Sequence, residues 1–134
     1  REAIRMKINQ QNYVDEAERV IKSMARPDKN GKLTISLTTS KLRSLLAMAA
    51  GLKTDAQHSR GKELSPDMQS RVQYLKMRIA YEAGREPKVK EFVERAELLS
   101  YVSEIAADRQ KLLLFCDYME ALTAYHKYYG GREN

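Results

Sequence analysis

Apolar residues recur every three or four positions along most of the chain, the spacing that puts side chains on one face of an α-helix. The first apolar stripe follows Asn12, which can cap a helix start, and Pro27 stops it. A second stripe begins after residues 38–40, whose hydroxyls can also cap a helix, and Gly51 lies near its end. These signals predict two helices before residue 52.

Prolines and cap residues predict the helices that follow. Ser65 and Pro66 form a strong start for a third helix, which runs to Gly84. Pro87 begins a further helix whose apolar residues again recur at the helical period.

The last part of the chain is also predicted to be helical. After Pro87 the helix continues to about residue 107, and we expect a break near Ser100 or Ser103. Asp108 can cap the final helix, which ends at residues 130–131. Because apolar and aromatic side chains cover most of its circumference, we expect this helix at the centre of a bundle or against a second subunit.

The segments between the helices are short. Residues 26–32 predict a turn, and apolar residues then alternate with polar ones as in a strand, but no second strand is predicted to pair with them. Residues 53–64 are almost wholly polar and predict a loop or frayed helix end. The fold class is therefore all-α: one domain, residues 1–134, formed by a compact bundle of about five helices with a short extended segment near residues 32–37.

Length and composition limit the protein class. A chain of 134 residues can bury a core of its own. No apolar run approaches the roughly 18 residues that a membrane span needs, and no signal-peptide pattern is present. We expect a cytoplasmic protein that does not bind membranes.

Residues with catalytic or metal-binding chemistry are scarce. His58 and His126 have no metal-ligand spacing around them, and Cys116 is the only cysteine. No phosphate-binding glycine loop or nucleophile elbow occurs. A Cys–His dyad formed by folding is the one catalytic alternative left open. We therefore expect no enzyme, no catalytic residue, no metal and no cofactor.

Positive charge is concentrated in the first two thirds of the chain. The net charge of +6 divides into +3 for residues 1–37, +6 for residues 38–90 and −3 for residues 91–134. Lysine and arginine displace counterions from phosphates, so a regional surplus favours a polyanion as partner. The candidate contacts are Lys41, Arg43, Lys53, Arg60, Lys62, Arg71, Lys76, Arg78 and Arg85.

The stretch RVQYLKMRIAYEAGRE places arginines and tyrosines along one side of the third helix, beside its apolar stripe. Tyr74 and Tyr81 could stack on exposed bases or ribose. Alternatively, Arg78 could pair with Glu82 one turn later and both tyrosines could flank the core.

A helix-turn-helix is the competing motif. Ala47 and Gly51 have its spacing, and its second helix would begin near Lys53. That helix would have almost no apolar stripe with which to pack, so a small DNA-binding regulator is the weaker alternative.

Several blocks in the same order resemble one family. LTTSKLRSLL, YLKMRIAYEAGRE followed by VKEFVERA, and FCDYMEALTAYHKYYGG are similar to the small helical subunit of type III-A CRISPR (Csm) interference complexes. NYVDEAERVI resembles the family's first helix. The resemblance covers most of the chain.

The resemblance implies a compact, non-catalytic protein that stacks in several copies beside a filament of the backbone repeat subunit, in a complex that also contains a large subunit. It further implies contact with the duplex of guide RNA and target RNA, mainly with the target strand. The matching basic positions are Lys41, Arg43, Lys76 and Arg85, and the charge distribution adds Lys53, Arg60 and Arg78. We expect these positive side chains to converge on one side of the bundle. A purely structural helical adaptor that bridges subunits is the other alternative.

Overall fold

A computed structural model describes residues 6–133. Within them the chain forms six helices and three short strands. The helices are α1 (Tyr13–Met24), α2 (Thr39–Gln57), α3 (Pro66–Arg85), α4 (Pro87–Arg95), α5 (Leu98–Ile105) and α6 (Arg109–Tyr128). The strands are β1 (Arg26–Pro27), β2 (Leu33–Thr38) and β3 (Gly131–Arg132). The predicted helical bundle is confirmed.

The core is built around α6, which packs against α1, α2 and α5. Phe115 and Leu112 are fully buried there, and the Tyr118 hydroxyl donates a 3.0 Å hydrogen bond to the Ala96 carbonyl. Glu120, Ala124 and Lys127 lie on its exposed side. The predicted central position of the final helix is therefore correct.

The extended segment near residues 32–37 is a strand and not an unpaired linker. β2 pairs antiparallel with β1 and parallel with β3. Gly130, at φ +97°, brings β3 against the Leu33 backbone at a distance that leaves no room for a side chain. Both partner strands have only two residues, and one lies at the far end of the sequence, so alternation along the chain could not indicate them.

Helix α2 continues through Gly51 to Gln57. The predicted end near Gly51 is wrong because Leu52 and Ala56 extend the buried face of the helix by another turn. The polar loop is correspondingly shorter and follows His58. Since no turn separates the two halves of this segment, the helix-turn-helix alternative is also wrong.

The break in the fourth helical segment lies at Ala96 and Glu97, earlier than the predicted positions. Glu97 adopts a left-handed conformation at φ 56°, and α5 begins directly after it. The turn lets Phe92 of α4 and Tyr101 of α5 both face the core. Helical periodicity continues across the break, so the sequence pattern did not locate it.

Three predicted helix starts can be compared with the structure. The Ser65 hydroxyl accepts a hydrogen bond from the Met68 N–H at 3.1 Å, and Asp108 caps α6 through the N–H groups of Gln110 and Lys111. Asn12 precedes α1, but its side chain accepts from the Asn9 N–H instead of from the helix. None of the helices within residues 6–133 is long and apolar enough to cross a membrane.

Candidate nucleic-acid interface

Helices α2 and α3 pack antiparallel and carry most of the predicted basic residues. Near the end of α2, Asp55 forms a 2.6 Å ion pair with Arg71 in the first half of α3. At the opposite end, Lys41 of α2 lies 3.2 Å from the Glu86 carboxylate, directly after α3. The two ion pairs link the helices at both ends of their shared seam.

Arginines recur at seven-residue intervals along the flank of α3 that faces this seam. Two helical turns separate Arg71 from Arg78 and Arg78 from Arg85, so their Cα atoms are roughly 10 Å apart on nearly the same side of the helix. Their side chains are 39%, 29% and 59% exposed, respectively. We call these three residues the arginine flank.

Glu82 organises the distal half of the arginine flank. Its side chain is only 6% exposed, and its two carboxylate oxygens lie 2.7 Å from Arg78 Nη2 and 3.2 Å from Arg85 Nη2. Both guanidinium groups also lie over the Tyr81 ring, 5.0 and 5.9 Å from its centroid. The predicted pair of Arg78 with Glu82 is therefore present, and Arg85 shares the same carboxylate.

Aromatic and apolar side chains are exposed on the solvent side of α3. Tyr74, Met77 and Tyr81 are 54%, 55% and 54% exposed. The alternative in which both tyrosines merely flank the core is therefore wrong for this chain. Because guanidinium groups lie against the Tyr81 ring, Tyr74 has the more accessible face for stacking.

Lys53 faces a different part of the molecule from the arginine flank. Its ammonium lies 2.9 Å from Asp117 and 3.5 Å from Glu120, both on α6. The hydrogen bond to Asp117 raises the pKa of Lys53 above its usual value, against an opposing effect of burial. This lysine therefore offsets part of the negative charge of two α6 carboxylates and links α2 to α6.

The remaining predicted cations are dispersed. Arg43, Arg60 and Lys76 form no ion pair with a carboxylate in the part of the chain that the structure describes. Lys76 and Arg78 are two positions apart in the sequence, which places them on roughly opposite sides of α3. By the same geometry Arg43 and Lys41 leave α2 in roughly opposite directions.

The predicted convergence on one face is therefore wrong for the full set. Lys41, Arg78 and Arg85 gather around Glu82 and Glu86, so three cations and two carboxylates leave a local charge of +1. A regional charge sum could not show this, because it counts carboxylates without showing which lysines and arginines they contact.

The sequence predicted one acidic partner and missed the others. Glu82 is predicted as a partner of Arg78, four residues before it, but its pair with Arg85, three residues after it, is not. The pairs of Lys41 with Glu86 and of Lys53 with Asp117 join residues far apart in the chain. No local signal points to them.

Cys116 and His126, two residues considered for a Cys–His dyad, are both buried in the core. His126 is buried, and its Nε2 atom lies 2.7 Å from the Leu37 carbonyl oxygen, which ties α6 to β2. Burial raises the pKa of the Cys116 thiol to about 12. Cys116 and His126 are ten positions apart on one helix, so their Cα atoms are roughly 15 Å apart, too far for a dyad. Across residues 6–133, no three His, Cys, Asp or Glu side chains converge on a possible metal site.

Comparison with known proteins gives a consistent result over nearly the whole chain. A family model described as Csm2 Type III-A matches residues 8–132. The chain belongs to the Csm2 family of type III-A CRISPR systems. Members of this family are the small subunit of type III-A CRISPR complexes. The family resemblance seen in the sequence blocks is therefore confirmed.

Two curated Csm2-family relatives show how far the similarity extends. The CRISPR system Cms protein Csm2 of Streptococcus thermophilus is 41% identical over 126 residues, which cover 94% of this chain and 98% of the relative. The protein of the same name from Mycobacterium tuberculosis (strain H37Rv) is 45% identical over 123 residues, covering 92% and 95%. Both comparisons include the α2–α3 seam and the central helix α6.

Proposed function

We propose that this Csm2-family protein is a non-catalytic subunit that lines the duplex of guide RNA and target RNA in a type III-A effector ribonucleoprotein. Several copies stack in the complex, next to the backbone repeat subunit and the large subunit, and contact mainly the target strand. The setting is cytoplasmic antiviral defence. Membership of the Csm2 family supports the setting, and the charge pattern of α2 and α3 supports the RNA contact.

The observation that carries the RNA contact is the arginine flank of α3. Three partly exposed guanidinium groups follow one another along one side of a 20-residue helix. Such an array suits a ribose-phosphate strand, whose charges also repeat along a line. Contacts to phosphate and sugar do not discriminate sequence, as a complex programmed by base pairing requires.

Of the other predicted cations, Lys41 lies at the end of the arginine flank, where it contacts Glu86. Arg43, Arg60 and Lys76 lie elsewhere, with Lys76 on roughly the opposite side of α3. Because each copy supplies few phosphate contacts, affinity would come from repetition along the complex. Linked copies can raise avidity by roughly a hundredfold or more without new contact types.

A charge-reversal experiment tests the RNA contact. In the variant, Lys41, Arg71, Arg78 and Arg85 are all changed to glutamate in the reconstituted complex. The control makes the same charge change at Lys22, Lys29, Lys111 and Lys127, which lie on α1, on α6 and in the turn before β2. We expect the first variant to lose target RNA in a filter-binding assay while the control retains it. Equal retention by both would contradict the proposal.

A structural adaptor is the second candidate function, and the ion pairs favour it. Lys41, Lys53, Arg78 and Arg85 already contact carboxylates of the same chain. In addition, a groove of about 610 Å³ lies between α2 and α6, lined by Leu46, Ala49, Cys116 and Met119 among others. If the protein only bridges subunits, the charge-reversed variant will impair assembly but not the RNA affinity of complexes already formed.

A further inference from the structure

The nearly buried carboxylate of Glu82 lies within the surface proposed to bind RNA. An acidic residue there opposes the attraction of phosphate, so on charge alone Glu82 should weaken binding. Its position nevertheless favours contact with cations over contact with solvent, since both of its oxygens face guanidinium groups.

Glu82 and Tyr81 together restrict the two arginines that end the arginine flank. Arg78 contacts the Glu82 carboxylate at 2.7 Å and lies over the Tyr81 ring at 5.0 Å, and Arg85 makes the same two kinds of contact. A free arginine side chain samples many rotamers and loses that freedom when it binds a ligand. The contacts with Glu82 and Tyr81 already restrict the Arg78 and Arg85 side chains in the protein alone, so less freedom would be lost on RNA binding.

The Glu82 carboxylate occupies only some of the N–H donors of Arg78 and Arg85. A guanidinium carries five N–H donors, and Glu82 receives one hydrogen bond from Arg78 at 2.7 Å and an ion pair from Arg85 at 3.2 Å. Most donors of both groups remain available to a phosphate. Glu82 can therefore orient the arginines while they bind.

We propose that Glu82 is a positioning residue that strengthens RNA-backbone binding by pre-orienting Arg78 and Arg85, in spite of its negative charge. This inference rests on the proposed RNA contact of the same surface. Preorganisation increases affinity by reducing the entropy lost on binding. Removal of the Glu82 charge should then weaken binding, which is the opposite of the result expected from net charge.

The test compares Glu82→Gln with Glu94→Gln in reconstituted complexes. Both substitutions raise the net charge by one, but Glu94 is exposed on α4 and forms no ion pair among residues 6–133. We expect Glu82→Gln to raise the Kd for target RNA by about threefold to tenfold, the effect of losing order in one or two side chains. Glu94→Gln should leave the Kd unchanged or lower it slightly.

The arginine variants separate this inference from the proposed function. An Arg78→Ala/Arg85→Ala double variant should bind RNA weakly, and Glu82→Gln should cause no further weakening in that background. If the double variant binds like the wild type, this surface does not bind RNA and both proposals fail. If the double variant is weak but Glu82→Gln alone binds equally well or more tightly, only the positioning role is overturned.

A second variant covers the case in which Glu82→Gln does not fold, which circular dichroism and thermal unfolding would show. Arg78→Lys keeps the positive charge and the natural carboxylate but removes the planar fork of donors. The positioning role predicts weaker RNA binding for Arg78→Lys, with a smaller effect than for Arg78→Ala. Binding as tight as that of the wild type would overturn it.

Discussion

Helices α3 and α6 have the same length, 20 residues, yet Tyr74 and Tyr81 of α3 and Tyr118 of α6 lie in opposite environments. On α3, Tyr74 and Tyr81 are more than half exposed between arginines. On α6, Tyr118 is 1% exposed and its hydroxyl is bonded to a backbone carbonyl. In the middle of α6 an aromatic side chain completes the core, whereas on α3 two aromatic side chains lie outside the buried stripe.

The neighbours of each tyrosine explain this difference. Tyr118 has buried residues close to it in the sequence and within one turn, so burial adds to an existing apolar contact area. Tyr81 lies away from the buried stripe of α3 and between two guanidinium groups. Its exposure leaves apolar surface uncovered, which is a cost that a binding function can offset.

Large-to-small substitutions should produce the greatest contrast between the two helices. We expect Phe115→Ala in α6 to lower the free energy of unfolding by about 3–5 kcal/mol, because it leaves a cavity at a fully buried site. Tyr81→Ala in α3 should cost less than about 1 kcal/mol. Urea denaturation followed by circular dichroism measures both. Similar effects of the two substitutions would show that α3 is as important for the core as α6.

Removal of a single hydroxyl gives a sharper form of the same comparison. Tyr118→Phe deletes the donor that satisfies the buried Ala96 carbonyl and should cost about 1–3 kcal/mol of unfolding free energy. Tyr74→Phe removes an exposed hydroxyl that is not hydrogen-bonded within residues 6–133, so its effect should be close to zero. Equal effects in urea denaturation would contradict the distinction between buried and exposed tyrosines.

The last comparison concerns the pH dependence of Cys116 on α6. The folded state has a pKa of about 12 for this thiol, above its usual value of 9.0, so the unfolded state releases the proton first. This contribution to stability is complete below pH 9 and declines as the pH rises towards 12. Native protein at about pH 9 should resist alkylation by iodoacetamide, whereas urea-unfolded protein should react. Rapid modification of the native thiol would show that the site is accessible.

The helical periodicity predicted the bundle, and Asp108 and Ser65 mark true helix starts. Gly51 misled the prediction because a glycine is tolerated within a helix when the buried stripe continues past it, here through Leu52. The pairing of β2 with β3 depends on residues nearly a hundred positions apart and has no local signal.

The candidate site was predictable only in part. Regional charge pointed to α2 and α3, and the seven-residue spacing of the arginine flank is visible in the sequence. The contacts of Lys41 with Glu86 and of Lys53 with Asp117 depend on how the helices pack. Charge along a sequence therefore locates a basic region, but only tertiary packing shows which of its cations are already neutralised.

The salt dependence of target RNA binding tests the central claim about the arginine flank most directly. The variant changes Arg71, Arg78 and Arg85 to glutamine, and a control changes Lys22, Lys29 and Lys111 to glutamine, so that both remove three positive charges. For reconstituted complexes, the plot of the logarithm of the RNA-binding constant against the logarithm of the salt concentration should become shallower. The expected change is roughly 0.7 for each phosphate no longer bound, or about 2 for each copy of the protein that contacts the RNA. The control slope should remain that of the wild type. An unchanged slope in the arginine variant would contradict the claim that this flank of α3 binds the RNA backbone.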